Sequence, residues 1–592
     1  MKTLNVFVLF ILLMVGSLRA QFPPAFSEGM LQTAEVDSMV RVYLSPQRIL
    51  WKSSEKGVQN TDVLMKKGEG QAWFGKQPLC RISNVSGETS GLILDFGIEL
   101  HGGLQITTAQ GNNVNRNIRI RFGESVSEVN STAKGVNFVS GGRNATNHHA
   151  MRDFTLMLPG YGTIEIGNTG FRFVRIDLLD VDAYVLLKEV RAVAVYRDLP
   201  YLGSFRCSDT RLNRIWETGA YTVHLNMQSY LIDGIKRDRM VWAGDMHPEL
   251  MTINYVFGYN EIVPKTLDFL KDKTPLPAFM NGIPSYSMWW VLMQYDWYLF
   301  HGRIDYLNEQ KSYLISLLDV LSMYVDAQGA EQLHNVGMRF IDWPTYGNEV
   351  AVHAGLQSMM VMTFEKGAAL CDFMDEAKLA RKYRKLVERM KQYQPEAGGS
   401  KQSAALLSLS EIKEAVQLNQ DVLAIDGAKR FSAFFGYYML EAQAKAGDYT
   451  RAMQNIRDFW GGMLDLGATT FWEEFDLDEA AGSARIDEWV GDGQKDYHNS
   501  TGKECYIGLR RSLCHGWASG PTPWLSRHVL GVRPLVPGGI VIEVKPNLGD
   551  LTWVEGSYPT AYGTVLIRHD KQPDGTVISR ISAPKEVRIV QD

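Results

Sequence analysis

The sequence predicts a multidomain protein of mixed class. It has a β-sandwich at the N-terminal end, a toroid of paired helices in the middle and a small β-domain, a second sandwich, at the C-terminal end. Three observations carry this. Apolar and polar residues alternate from about Phe22 to Leu199. Apolar residues recur at i, i+3 and i+4 from Gly203 to about Val529, and alternation returns after Leu530. At 592 residues the chain is also too long for one simple core. These breaks set the expected domains: residues 1–20 a leader, 22–202 the first β-domain, 203–530 the helical domain and 531–592 the last β-domain.

Met1–Ala20 reads as a secretory signal. Lys2 supplies the positive start, Val6–Val15 a short apolar run and Ser17-Leu-Arg-Ala20 a small-residue cleavage site. The mature protein is therefore expected in the periplasm or outside the cell. No later stretch of ~18 apolar residues follows, so no membrane span is expected after the leader is removed. In the first β-domain the strands are Leu92–Phe96, Leu104–Thr108, Ile118–Phe122, Thr163–Ile166, Phe171–Asp177 and Val190–Tyr196. Glu124–Asn147 is polar and expected as a long loop, and Asn112-Asn113, Gly141-Gly142 and Asn144 also fall in expected loops.

Ser208 or Asp209 is placed to cap a first helix running through Leu212, Ile215, Trp216 and Ala220. Tyr306–Tyr324, Val352–Phe373, Asp375–Tyr393, Lys429–Lys445 and Thr450–Met463 follow as helices, parted by His301-Gly, Ala397-Gly-Gly and Gly447-Asp. In the last domain Gly539–Lys545, Thr564–Arg568 and Thr576–Ile581 are strands, with turns at Pro537-Gly-Gly and Pro573-Asp-Gly.

Composition narrows the function classes. A net charge of −5 gives no electrostatic reason to expect nucleic acid or an anionic membrane as partner. Five cysteines imply no disulfide framework, Cys505–Cys514 being the only close pair. No Cys/His pair has zinc spacing, including His148-His149 and His247, so neither metal nor cofactor is expected. The 14 Trp and 25 Tyr tilt towards a carbohydrate ligand, because flat rings pack on the apolar faces of sugars.

The stretch Leu231–Glu249 departs most from an ordinary core segment. It gathers Asp233, Asp238, Asp245 and Glu249 around Lys236, Arg237 and Arg239, with Trp242 and Gly244 between them. Buried charges need partners, so the stretch is either a salt-bridged loop or the wall of a carboxylate-rich pocket, and these residues alone leave both open. A second acidic cluster is Thr469-Thr-Phe-Trp-Glu-Glu474, where at most one of Glu473 and Glu474 faces any shared pocket. A third, Ser512-Leu-Cys-His-Gly-Trp517, places His515 and Trp517 in a Gly-flanked turn. Trp289, Trp290 and Trp343 are candidates for a sugar platform, and Trp297 for the core. Two carboxylates from separate segments are what sugar-bond hydrolysis requires: one protonates the leaving oxygen, the other attacks or activates water.

In this order the three clusters resemble the signatures of the bacterial α-L-rhamnosidase family, glycoside hydrolase family 78. The family's Asp-Cys-Pro-Gln-Arg and Trp-Thr-Gly-Asp stand here as Asp233-Gly-Ile-Lys-Arg237 and Trp242-Ala-Gly-Asp245. Its Thr-Thr-x-Trp-Glu stands as Thr469-Thr-Phe-Trp-Glu473, and its Ser-Leu-Asn-His as Ser512-Leu-Cys-His515. Leu94-Asp-Phe-Gly97, Phe171–Ile176 and Gly203–Asp209 resemble the family's lead-in.

The resemblance implies an (α/α)6 barrel and single-displacement, inverting release of a terminal α-L-rhamnose. Asp238 falls on the general acid and Glu473 on the general base. Asp233, Arg237, Asp245 and His515 fall on sugar-binding positions, with Trp242, Trp290 and Trp343 as the apolar wall. The family's acid is usually Glu, so Asp238 is one methylene short, and Glu249 is the reserve. Lys236 replaces a neutral residue; an added cation would suit an acidic sugar. A related exo-glycosidase for another sugar, and a non-catalytic carbohydrate-binding protein on the same scaffold, are the alternatives.

Overall fold

The computed structural model describes residues 38–84, 87–109, 114–131, 151–500 and 508–591. The expected leader, Asn112-Asn113, Gly141-Gly142, Asn144, His148-His149 and Cys505 lie outside them. The other four cysteines are buried and free. Among the described residues no helix is long and apolar enough to cross a membrane.

The first region is one hydrogen-bonded sheet of nine strands: β1 (Met39–Leu44), β2 (Arg48–Lys52), β3 (Val58–Gln59), β4 (Cys80–Ser83), β5 (Gly91–Thr108), β6 (Arg116–Gly123), β7 (Arg152–Leu158), β8 (Gly162–Leu178) and β9 (Tyr184–Arg197). Its order is β3-β4-β9-β5-β8-β6-β7, with β1 on β9 and β2 on β5. Two pairs of strands expected as separate are single long ones. Leu92–Phe96 and Leu104–Thr108 join in β5, and Thr163–Ile166 and Phe171–Asp177 join in β8. The ladder between β5 and β8 slips between Asp95 and Leu100 and again between Gly102 and Leu104. Each slip breaks the alternation that period-two reading depends on. Only glycine fits at 102: φ is 144°, and a Cβ would lie 2.0 Å from the Val193 carbonyl oxygen. Beyond the slips β5 changes its second neighbour from β2 to β9. The bent strands enclose a core that includes Leu92, Leu94, Leu104, Ile106, Phe171, Val174 and Val190.

Inside the polar stretch expected as loop, Val126–Asn130 is a short helix whose N-cap Ser125 accepts from the Glu128 N–H.

The central region is helical. Thr210–Asn226 begins where Asp209 accepts from the Arg211 and Leu212 N–H groups, as the sequence suggested. Ile304–Ser322, Glu349–Phe373, Ala377–Lys391 and Tyr449–Asp465 match expected helices within a few residues. Lys429–Lys445 is corrected: the helix begins only at Gly436, and Arg430, inside the expected span, adopts left-handed backbone (φ 64°) that a helix cannot include. Three further helices, Met246–Val256, Ile262–Lys273 and Pro284–His301, gave little helical signal. Every residue of the first is buried, and a helix buried on all sides has no polar stripe to set a period.

At the C-terminal end lie a four-stranded and a three-stranded sheet. Ser204–Cys207, which precedes the first long helix, pairs antiparallel with Trp553–Thr560 and so belongs to the four-stranded sheet. Gly203 makes that route possible, since a Cβ there would lie 1.8 Å from the Tyr255 carbonyl oxygen.

Asp209 caps the helix that follows this strand and also pairs with Arg457 at 2.7 Å. Asp209→Ala is expected to destabilise the protein by about 1–2 kcal/mol, as for other lost N-caps. A matched denaturant titration of the two proteins checks this.

Candidate active site

The three sequence clusters meet around one small cavity of about 180 Å³. It is lined by Asp233, Asp238, Trp242, Asp245, Ile283, Tyr286, Met338, Phe340, Trp343, Glu473, His515 and Trp517. Backbone bonds stitch the clusters together. The Glu473 N–H donates to the Ser512 carbonyl, His515 N–H to Phe471 and Gly516 N–H to Asp233, at 2.9–3.0 Å. Gly234 bridges to His515, and a Cβ on Gly234 would lie 3.1 Å from His515 Nδ1. The glycine therefore allows the close approach.

Arg237 is the centre of the charge arrangement. It does not line the cavity but lies buried behind it. One amino group donates to Asp238 Oδ2 at 2.7 Å and the other to Glu473 Oε2, while Nε donates to the Arg510 carbonyl at 2.6 Å. A single guanidinium thus bridges both proposed reacting carboxylates.

Asp238 reaches the cavity by an unusual route. Asp238 and Arg239 both have left-handed backbone, φ 53° and 55°, at a cost of roughly 1–2 kcal/mol each. Such strain persists only where neighbours over-determine it. Here Arg239 donates to the Asn168 carbonyl and side chain and meets His101 Nε2, and Asp233 accepts from the Met240 N–H at 2.9 Å. Burial, together with the Arg239 charge, holds His101 at about 4, so it meets that cation as a neutral ring. The tight turn carries the shorter acid into the space, and the Asp238 side chain, at 14% exposure, is far more accessible than that of Glu473 at 2%.

Burial alone would raise the Glu473 carboxyl. The charges of Arg237 and His515, the Arg237 bond and the Ser512 N–H outweigh it and hold the carboxyl below its ordinary value. These contacts favour the ionised form of Glu473. Asp233 is pushed well up, first by burial and then by Asp245 and Asp238. Asp245 is pushed up by burial, against its bond to His515. His515 Nε2 pairs with Asp245 Oδ1 at 3.0 Å. Burial opposes the His515 cation, but Asp245, Glu473 and Asp233 together raise its value.

Several expectations change. Trp290 is not part of the wall. It is fully buried, with Nε1 donating to the Leu267 carbonyl and its ring against Tyr313. Trp289 packs against both His247 and Tyr438 in the core. Both face inward because their helix is apolar on nearly every side. Trp297 is core, as expected. Glu249 does not line the cavity; it sits fully buried beneath Gly516, pushed well up by burial and by Asp245 and Asp233. Lys236 turns away from the cavity and is buried against Glu124 and Glu128 at 3.2 Å each, so it cannot meet an acidic sugar. Of Glu473 and Glu474 only the first lines the cavity, in line with the expectation that at most one would, and Glu474 is buried elsewhere. Trp517 is a wall residue that the sequence placed only in a ligand-facing turn; Ile283, Tyr286, Met338 and Phe340 carried no signal that separates them from core.

Residues 200–420 match the family model of the bacterial α-L-rhamnosidase 6 hairpin glycosidase domain. That match covers much of the helical region. The chain is 21% identical over 542 residues to an α-L-rhamnosidase of Alteromonas sp. (strain LOR), covering 82% of this chain and 54% of that protein. It therefore spans about half the length of this curated relative. A family 78 rhamnosidase of Bacillus sp. GL1 superposes with a TM-score of 0.69 at 21% identity, over 87% of this chain and 54% of that one. A rhamnosidase from Klebsiella oxytoca, solved with rhamnose bound, superposes with a TM-score of 0.63 at 20% identity, over 83% and 96%. These likenesses establish the fold: N-terminal β-structure, a central helical domain and C-terminal β-sheets.

The His515 cation makes stability pH-dependent. Its folded value is raised above the ordinary value of about 6.5. The stabilisation is therefore fully present below that value and is lost as pH rises through the folded one. Unfolding midpoints measured across this range are expected to fall with rising pH, and His515→Gln to remove that step.

Proposed function

We propose that the protein is an inverting exo-glycosidase that releases terminal α-L-rhamnose from a glycoside, oligosaccharide or polysaccharide. The observation that carries the reading is the pair Asp238 and Glu473, held by one guanidinium at a cavity sized for a single sugar. An inverting mechanism needs roughly 6.5–9.5 Å between its two carboxyl groups, so that a water fits between base and sugar. Glu473, kept ionised, takes a proton from water as its oxygen attacks the anomeric carbon. The glycosidic bond breaks, and Asp238, which in its protonated form still accepts the Arg237 bond through its carbonyl oxygen, gives its proton to the leaving oxygen. Asp233, Asp245 and His515 are placed to bind ring hydroxyls, and Trp242, Trp343 and Trp517 to cover the apolar face of the sugar.

The apolar wall favours a deoxy sugar. Ile283, Met338 and Phe340 offer no side-chain partner for a primary hydroxyl but suit a methyl group. The acidic-sugar alternative loses its support because Lys236 is occupied elsewhere. A purely sugar-binding role is less well supported, since an ionised base and an accessible acid share the cavity. The ring of Tyr346 is exposed and lies 6.0 Å from the cavity-lining Trp343, a pair that suits a ring-bearing aglycone.

Glu473→Gln is expected to lower turnover of an aryl α-L-rhamnoside by orders of magnitude, with the folded far-UV spectrum and melting transition retained. NMR of the first-formed sugar should show the inverted anomer; the retained anomer would exclude the single-displacement scheme. The enzyme should also prefer the rhamnoside over the matching α-L-mannoside, which adds one hydroxyl, by up to about 100-fold in kcat/KM.

A further inference from the structure

Behind Arg237 lies a second charged cluster that the reaction scheme does not use. Lys236 Nζ is 3.2 Å from Glu124 and 3.2 Å from Glu128, and all three are buried. Glu124, Glu128 and His498 also stand close enough to hold a metal ion, the one such group among the described residues. The ammonium of Lys236 lies among them as the cation. His498 is turned to other work, with Nδ1 against Ser125 Oγ at 2.7 Å and Nε2 against the Arg511 carbonyl at 3.0 Å.

The cluster is wired to the candidate active site through one short segment. Lys236 Nζ donates to the Leu509 and Arg511 carbonyls at 2.9 and 2.8 Å. Arg237 Nε takes the carbonyl between them, that of Arg510. The next two N–H groups point back. Ser512 donates to Glu473 Oε2 at 3.0 Å and Leu513 to Glu124 Oε2 at 2.7 Å. Five consecutive residues thus link the β-region carboxylate Glu124, the ammonium, the guanidinium and Glu473. The N-terminal sheet holds the other side. The Gly170 N–H donates to the Ile235 carbonyl, and Thr169 Oγ1 and Arg152 reach the Lys236 carbonyl at 3.4 and 3.3 Å.

We propose that Lys236, clamped by Glu124 and Glu128 of the N-terminal β-region, is a positioning residue that sets Arg237 and Glu473, so that this β-region is part of the catalytic apparatus. This rests on the glycosidase reading only for its activity readout. A buried ammonium requires partners, and three of those it has here, Glu124 and the Leu509 and Arg511 carbonyls, also fix the 509–513 segment. Outer-shell partners of this kind matter because reacting groups must be held to a fraction of an ångström. The groups facing the ammonium are Glu124, Glu128 and the two carbonyls, with Glu99 and His498 close by and Arg237 next along the chain. Burial pushes Glu99 well up and Glu128 up to about 7, so the cluster does not carry three full negative charges.

The test uses the full chain and two variants, Lys236→Gln and the isosteric Glu124→Gln, which keeps an oxygen for the Leu513 N–H. On an aryl α-L-rhamnoside both are expected to lose about 10–100-fold in kcat, with KM little changed. The acidic limb of kcat/KM should move to higher pH as Glu473 loses its hold on Arg237. The double variant should be no worse than either single one. A variant that melts lower but keeps the wild-type kcat and pH profile would overturn the proposal and leave the cluster a purely structural role. Should the wild type hydrolyse no α-L-rhamnoside, the functional reading fails by itself. The positioning claim is then decided by a crystal structure of Glu124→Gln, where an unchanged Arg237–Glu473 contact would overturn it and a displaced one would support it.

Discussion

A guanidinium buried between two carboxylates is the constraint on which the rest of this site depends. Desolvating the Arg237 charge costs several kcal/mol, and only close, well-aligned partners offset it. Asp238 and Glu473 supply those partners, and the Arg510 carbonyl takes the third donor. Three segments far apart in sequence must therefore arrive together. The strained turn at Asp238 and Arg239 serves the same need, since it accompanies the 2.7 Å contact of Asp238 with the guanidinium of its own neighbour.

The two β-regions are not appendages to the helical domain. The strand Ser204–Cys207 enters the C-terminal sheet before the first long helix begins, so that sheet contains strands from either side of the helices. The N-terminal sheet reaches the site through residues at the ends or bends of its strands. His101 and Asn168 fix Arg239, and Glu124 and Glu128 fix Lys236. His101 and Asn168 lie where β5 and β8 change register, because a bulge releases a strand from its alternation and re-aims side chains, whereas Glu124 and Glu128 lie just beyond β6 and in the short helix that follows it.

Much of this was legible in the sequence for definite reasons. The regional changes in periodicity gave the order β, helical, β. Clusters of charge and aromatic residues at Asp233–Asp245, Glu473 and His515 marked the site, since charged groups among Trp, Val and Ile are not core material. Other features were hidden. The alternation in β5 and β8 is interrupted within one strand, and so it read as two. Trp290 and Trp343 look alike in sequence, yet one lies on a helix apolar all round and the other on a short turn that opens to the cavity.

The sequence by itself determined the residue types of the site and their order along the chain. Those depend on composition and local spacing, which are one-dimensional. Only the tertiary structure decided which charges meet. Lys236 and Arg237 are neighbours in sequence and similar in charge, but one binds β-region carboxylates and the other bridges Asp238 and Glu473. Glu249 and Asp238 were rival acids, and burial beneath Gly516 removed the first from the cavity. Partner choice among buried charges is set by desolvation and by distances across the fold, and neither is written in the spacing of residues along a chain.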